Sequence, residues 1–282
     1  MNLTTRPLTL AASAALAALS LTACTQSTST VAEGCTPEWT FSTINEGKFT
    51  VAAVGALPYV DIKDNGASAA GIDGAFYTEF AKRACLTLEI TQLGGPAAVA
   101  AVTEGRSDAG AGGWVATEER GKSIGQTDPV WRNLNGIASA DGLDSLEALT
   151  GKTVGTVAGS IYVEPLGAAV GKDAVKQYQS IDAAFQDLKA GRIDAVMGTA
   201  VELAYQAKVR GEDSLQVKTL EPDTANAALT EGGNINFPHT KTNTELTAAL
   251  NAFIKDIQAN GAVAKVLSEY GATDPRYTQI SQ

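Results

Sequence analysis

The chain has 282 residues, enough for one large domain or two linked ones and for a substantial buried core. Hydrophobic residues make up 44% and charged residues 18%, with 28 glycines and a formal net charge of −10, the composition of an acidic globular protein. That charge argues against binding DNA, RNA or anionic lipid by general electrostatics, and a single histidine with three cysteines argues against the common structural zinc sites and any triad that does not use His239.

The N-terminus sets the compartment. Arg6 is followed by an uncharged apolar run, residues 8–21, that is short for a permanent membrane span and has the proportions of a signal-peptide core. The segment ends Leu21-Thr22-Ala23-Cys24, which resembles a bacterial lipobox; the resemblance implies cleavage after residue 23 and acylation of Cys24, palmitate included. The alternative is an ordinary signal peptide with an unrelated cysteine after its cleavage site. A Ser/Thr-rich tether follows at 25–30, and the folded body is expected to begin near Cys35. With Cys24 lipidated, Cys35 and Cys85 remain as an even pair in an oxidising compartment, read as a disulfide, with two free buried thiols as the alternative.

From Gly47 onward, short β-branched runs alternate with amphipathic stretches, the pattern of an α/β fold with largely parallel strands. In chain order the pattern predicts strand 49–54, helix 75–84, strand 87–91, helix 97–104, strand 109–112, strand 153–157, helix 182–190, strand 195–198 and helix 244–259. Asp73 has the chemistry of an N-cap for the first helix, and Gly105 and Gly191 are placed to end the second and third. Two echoes divide this run. Gly47-Lys-Phe-Thr-Val and Gly151-Lys-Thr-Val each open a strand, while Glu104-Gly-Arg-Ser-Asp108-Ala and Ala190-Gly-Arg-Ile-Asp194-Ala each stop a helix and enter another. Their common order favours two similar lobes. Ligands of open α/β sheets sit beyond the carboxyl ends of strands, which directs attention to the residues after 54, 112, 157 and 198.

Two of those places carry recognisable chemistry. Gly159-Ser160 leads into Ile161 and a helix, an arrangement that offers N–H groups and a hydroxyl to an anion, or serves as a plain N-cap. After Gly113 come Trp114, Val115 and then Arg120, whose planar fork suits a carboxylate; the bland alternative is a surface salt bridge to Glu118 or Glu119.

Taken in order, Gly47-Lys-Phe-Thr-Val, Leu57-Pro58-Tyr59, Gly71-Ile-Asp73, Thr117-Glu-Glu-Arg120, Asp128-Pro-Val-Trp131, the two echo segments and Gly261-Ala-Val-Ala-Lys265 resemble the extracellular solute-binding proteins of family 3, the amino-acid type, over residues 46–274. The resemblance implies a two-lobe, type II periplasmic-binding-protein-like α/β fold with a hinge and an interlobe ligand cleft. Lobe 1 would comprise 46–137 and 227–282, lobe 2 would comprise 138–226, and 24–45 would be the lipidated tether. The chain should cross between lobes near 135–140 and 223–234. The function implied is capture of a small carboxylate-bearing solute and its delivery to an ABC permease, by a monomer anchored on the outer face of the cell membrane, without a cofactor and without catalysis.

By the same resemblance Arg120 clamps a ligand carboxylate, helped by the hydroxyl and N–H of Ser160, with Gly113, Trp114, Val115, Ile161, Thr199 and Tyr59 around it. The chain departs from the family where a carboxylate for the ligand ammonium would stand at Thr199, a hydroxyl at Val115 and an aromatic at Ala56. Glu202, one turn past Thr199, is placed to supply the missing negative charge, or else lies on a solvated helix face. Trp114 and Trp131 offer flat walls or core packing, and His239 is read as incidental. A second reading is a periplasmic-type dehydratase acting on a cyclic carboxylic acid, with Glu202 or Glu164 as the acid or base. A third is a ligand-sensing lipoprotein.

Overall fold

The computed structural model describes residue 1 and residues 31–32, 34–54, 57–211 and 214–280. The signal segment after residue 1, Cys24, the Ser/Thr-rich stretch 25–30 and Ala56 lie outside the described residues. Among those described, no helix is long and apolar enough to cross a membrane.

The first lobe is built on a parallel three-stranded sheet, Thr87–Gln92, Lys48–Ala53 and Ala109–Ala111 in spatial order. The helices Ile72–Arg83 and Gly95–Thr103 provide the crossovers, and Thr244–Ala259 packs beside them. Phe49, Tyr77, Phe80, Phe237 and Phe253 are fully buried in its core. The second lobe holds a five-stranded mixed sheet in the order Gln216–Thr219, Asn135–Ser139, Ala195–Thr199, Val154–Val157, Val175–Tyr178. Strand Asn135–Ser139 runs antiparallel to both of its neighbours, a departure from the parallel pattern expected from the sequence. One apolar cluster around Ile137, Leu149 and Met197 and another around Phe185 and Leu203 pack against this sheet.

The two echoes prove to be the same joint made twice. Gly105 and Gly191 have φ of 67° and 68° directly after helices that end at Thr103 and Lys189. Each Asp then ties its strand to the one beside it: Asp108 accepts from the N–H of Thr50 at 2.8 Å, and Asp194 from that of Thr153 at 2.7 Å. A carboxylate accepting a backbone N–H makes a stronger bond than a neutral pair, so both positions keep Asp for the same reason.

The lobes are joined where strand Trp131–Asn133 pairs with Gly233–Ile235. Leu134 carries the chain from this pair into the second sheet, and residues 231–232 bring it back. The expected boundary after 137 therefore falls inside a strand that belongs wholly to the second sheet. The short helix Ala227–Thr230 also lies with that lobe, because Leu229 is buried in its core. Gly232 permits the close crossing: a Cβ there would fall 1.6 Å from the carbonyl oxygen of Asn133.

Cys35 and Cys85 form a disulfide across a separation of 50 residues, which in the chain-entropy description stabilises the fold by about 4 kcal/mol. His239 is fully buried, with Nδ1 3.0 Å from the Phe237 carbonyl and Nε2 2.6 Å from the Thr247 hydroxyl. It is a brace within the first lobe and not incidental, and burial holds its pKa below the usual value.

Candidate functional site

The first wall begins where strand Ala109–Ala111 ends. Asp73, 2% exposed, accepts from the N–H groups of Gly112 and Gly113 at 2.8 and 2.7 Å. It sits inside helix Ile72–Arg83 and is not its cap. The helix starts at Ile72 because the N–H groups of Ile72 and Asp73 already donate to the carbonyls of Pro58 and Tyr59. Burial raises the Asp73 carboxyl pKa, and the two glycine N–H bonds oppose that rise. Gly113 must lack a side chain, since a Cβ would fall 2.5 Å from the Tyr59 ring.

Trp114 packs into a small cluster with Ala52, Val102 and Ile124, and Val115 is half-buried against Ile235. Thr117 then caps the turn of helix Glu118–Gly121 by accepting from the Arg120 N–H at 3.1 Å. The Arg120 guanidinium lies 5.7 Å from the centre of the Trp114 ring and donates from Nη1 to the Val115 carbonyl at 2.6 Å. Glu119 pairs with Lys122, and among the described residues Arg120 makes no ion pair, so the surface salt bridge is not formed. The result is an exposed fork held at one nitrogen, with N–H donors left for an anion.

The second wall differs from expectation at Ser160. Its N–H donates to the Val157 carbonyl at 3.1 Å, closing the turn, and the helix begins three residues later at Val163 with no side-chain cap. The amide is thus already used in the turn. The hydroxyl, 3.4 Å from that of Thr156, remains the polar group at this position. Ile161 is 73% exposed, and Glu164 is also exposed.

Thr199 ends its strand and precedes helix Ala200–Arg210 without capping it. Its hydroxyl is 3.1 Å from that of Tyr59, a contact from one lobe to the other. Tyr59 also accepts from Asn133 Nδ2 at 3.1 Å and stacks on Trp131 at 6.4 Å. Trp131 is fully buried and supports Tyr59 from behind, the packing role expected of it. Glu202 is half-buried, so the solvated helix face is corrected: burial raises its carboxyl pKa, with the nearby Thr199 hydroxyl opposing that rise. The Tyr59 and Tyr162 hydroxyls are pushed well above their usual values, first by burial and then by the Glu202 charge.

Asn133, Asn135, Tyr162 and the part played by Asp73 were not expected. Tyr162 donates to Asn135 Oδ1 at 2.8 Å, and Asn135 Nδ2 donates to the Leu229 carbonyl at 3.0 Å, which links both crossings. Asn135 opens the crossing expected at 135–140 and Asp73 was read as a cap, while only proximity to Trp131 and Ser160 in the sequence could have drawn attention to Asn133 and Tyr162. Among the described residues there is no cluster suited to a metal ion. Two cavities, of about 1050 and 1110 Å³, lie away from Arg120, Ser160 and Glu202.

Two α/β lobes joined by a double crossing, with an arginine on one wall and a polar helix start on the other, define a type II periplasmic-binding-protein-like fold with an interlobe cleft. The chain belongs to the bacterial extracellular solute-binding proteins, family 3, whose profile matches residues 49–273. It is 26% identical over 209 residues to the arginine-binding extracellular protein ArtP of Bacillus subtilis (strain 168), covering 71% of this chain and 77% of that one. In structure it resembles an ancestral arginine-binding protein bound to arginine, with a TM-score of 0.61, 27% identity and coverage of 80% and 98% of the two chains. An ancestral cationic amino acid solute-binding protein shares the fold at a TM-score of 0.68, with 23% identity and coverage of 79% and 95%.

Proposed function

We propose that this protein is the substrate receptor of an ABC importer for an amino acid or related carboxylate, tethered to the outer face of the cell membrane through acylated Cys24. The observation that carries the reading is Arg120: a guanidinium steadied by Trp114 and the Val115 carbonyl, free of acidic partners among the described residues. A fork in that state pairs bidentately with a carboxylate. Ser160 and Thr199, with the backbone of Gly113, Trp114 and Val115, meet the ligand from either side. Tyr59 and Ile161 complete the contacts, and the lobes 46–134 and 233–280 close against 135–230. The protein binds the solute and passes it on unchanged.

The test is calorimetry on the purified chain with a panel of L-amino acids, followed by mass spectrometry of the recovered ligand. Arg120→Ala should weaken binding of the best ligand by at least ~100-fold, as expected when a hydrogen-bonded charge pair is broken, while the melting temperature stays within a few degrees. Unchanged affinity in that variant would sink the assignment. Recovery of a chemically altered ligand would replace the receptor by an enzyme.

A further inference from the structure

Helix Ala200–Arg210 follows the third strand of the second sheet, yet it packs on both lobes. Leu203 and Ala207, one turn apart, join the cluster around Phe185 in the second lobe. Val201, Ala204, Tyr205 and Lys208 stand at the spacing i, i+3, i+4, i+7 and form a different stripe. That stripe lies on the first lobe. Val201 is fully buried in the first core, and the other three meet the chain where helix Ala262–Glu269 ends. A Cβ on Gly271 would fall 3.3 Å from that of Ala204, the Tyr205 and Tyr270 rings are 5.9 Å apart, and Lys208 Nζ donates to the Glu269 carbonyl at 2.9 Å. Tyr270 reaches further, because its hydroxyl accepts from the Gly71 N–H at 2.8 Å. Gly71 has φ of 91°, and a Cβ there would overlap the Tyr59 carbonyl. It directly precedes helix Ile72–Arg83, whose first two N–H groups hold the carbonyls of Pro58 and Tyr59.

We propose that Tyr270 is a positioning residue for solute capture: it couples the seating of helix Ala200–Arg210 on the first lobe to the loop that presents Tyr59. The proposal rests on the receptor reading given above. Thr199 stands at the start of this helix, so a solute that draws Thr199 inward also presses the stripe onto residues 269–271. Through the Tyr270 hydroxyl the same movement bears on Gly71. From there it bears on the Pro58–Tyr59 loop and on Asp73, whose carboxylate holds the turn at Gly112 and Gly113. The two walls are thus linked by packed rings and a hydrogen bond as well as by the crossing strands, the kind of contiguous network that carries coupling between sites. Tyr270 acts through that loop and not by contact with the solute.

The experiment compares the wild-type chain with Tyr270→Phe, Tyr205→Ala, Tyr205→Phe and the double variant of Tyr205→Ala with Tyr270→Phe. Calorimetry uses the common L-amino acids as probes and carries forward the one that wild type binds best. Tyr270→Phe removes one hydrogen bond and keeps the ring, so it should weaken that probe ~5-fold while the melting temperature stays within a few degrees. Tyr205→Ala should weaken it by a similar factor, and Tyr205→Phe, which keeps the ring contact, should recover most of the loss. The double variant should lose no more than the larger single loss, because both changes break one chain of contacts. Without ligand, amide hydrogen exchange at Gly71 should be faster in Tyr205→Ala than in wild type, although residue 205 lies in the other lobe; a purely local packing role would leave it unchanged. Wild-type affinity in both single variants, losses that simply add in the double variant, or unaltered Gly71 exchange in Tyr205→Ala overturns the coupling and leaves the receptor standing. Failure of wild type to bind any of the amino acids overturns the receptor reading and this proposal with it.

Discussion

At Asp73 a single carboxylate decides the shape of one wall. Its Oδ2 takes both Gly112 and Gly113 N–H groups, and these set the direction in which the chain leaves the sheet toward Trp114 and Arg120. Hydrogen bonds to a charged group carry more energy than neutral ones, so Asp73→Ala should cost about 3 kcal/mol in urea unfolding. Asn at this position, which retains an acceptor, should cost clearly less; equal losses for the two variants would mean that the turn does not depend on the acceptor. The local sequence suggested an N-cap here because an Asp precedes an apolar helical run. That reading failed because the loop at Pro58–Tyr59 already supplies the acceptors that a cap would provide. Arg120 was legible as a candidate through its place beyond a strand end and the family resemblance; its partner at Val115 and the ring beneath it became visible only in the folded turn.

Among the elements, the C-terminal turn Pro275–Tyr277 binds the two lobes from behind. Tyr277 is buried in the first core, its ring 6.2 Å from Trp131. The neighbouring Arg276 reaches the second lobe, bonding the Leu220 carbonyl at 3.1 Å and the Thr219 hydroxyl at 2.5 Å while pairing with Asp274 at 2.7 Å. Arg276 leads the causes that hold the Asp274 carboxyl at about 2, below its ordinary 3.8. A lowered folded value means that the stabilisation is fully present above 3.8 and is lost as pH falls through about 2. With both groups partly exposed, its size is on the order of 1–2 kcal/mol after allowance for solvent screening. Arg276→Ala should therefore lower the melting temperature at neutral pH and remove this part of the acid dependence. An unaltered acid profile in the variant would place the dependence elsewhere. Helix Thr244–Ala259 was read to the residue because its amphipathic period is long and uninterrupted. Strands Asn135–Ser139 and Gln216–Thr219 were not, because their pairing is with distant segments and leaves little local trace.

For the whole molecule, the contact that matters is Tyr59 with Thr199, the point where lobe meets lobe beside the site. One hydrogen bond contributes about 1 kcal/mol net, close to a fivefold change in an equilibrium. Tyr59→Phe should shift the ligand-free chain toward the open arrangement by that factor. The expected result is a larger radius of gyration in X-ray scattering without ligand and a weaker affinity for the best ligand. A ligand-free scattering profile identical to wild type would show that this bond does not hold the lobes together. The chain as a whole carries a net charge of −10, while the proposed chemistry of the cleft rests on a few groups of either sign.

The sequence by itself determined the fold class, the two-lobe repeat and the disulfide pair, because each leaves a local mark: a period, a glycine followed by Asp, an even cysteine count. The folded structure alone decided that the Ser160 amide is spent in its turn, that Asp73 braces a loop, and that Glu202 is partly withdrawn from water near Tyr59. The Ser160 bond is a local turn, while the other two depend on which segments meet across 39 to 140 residues of chain, and burial and charge balance at such a meeting are properties of the neighbours, not of the residue.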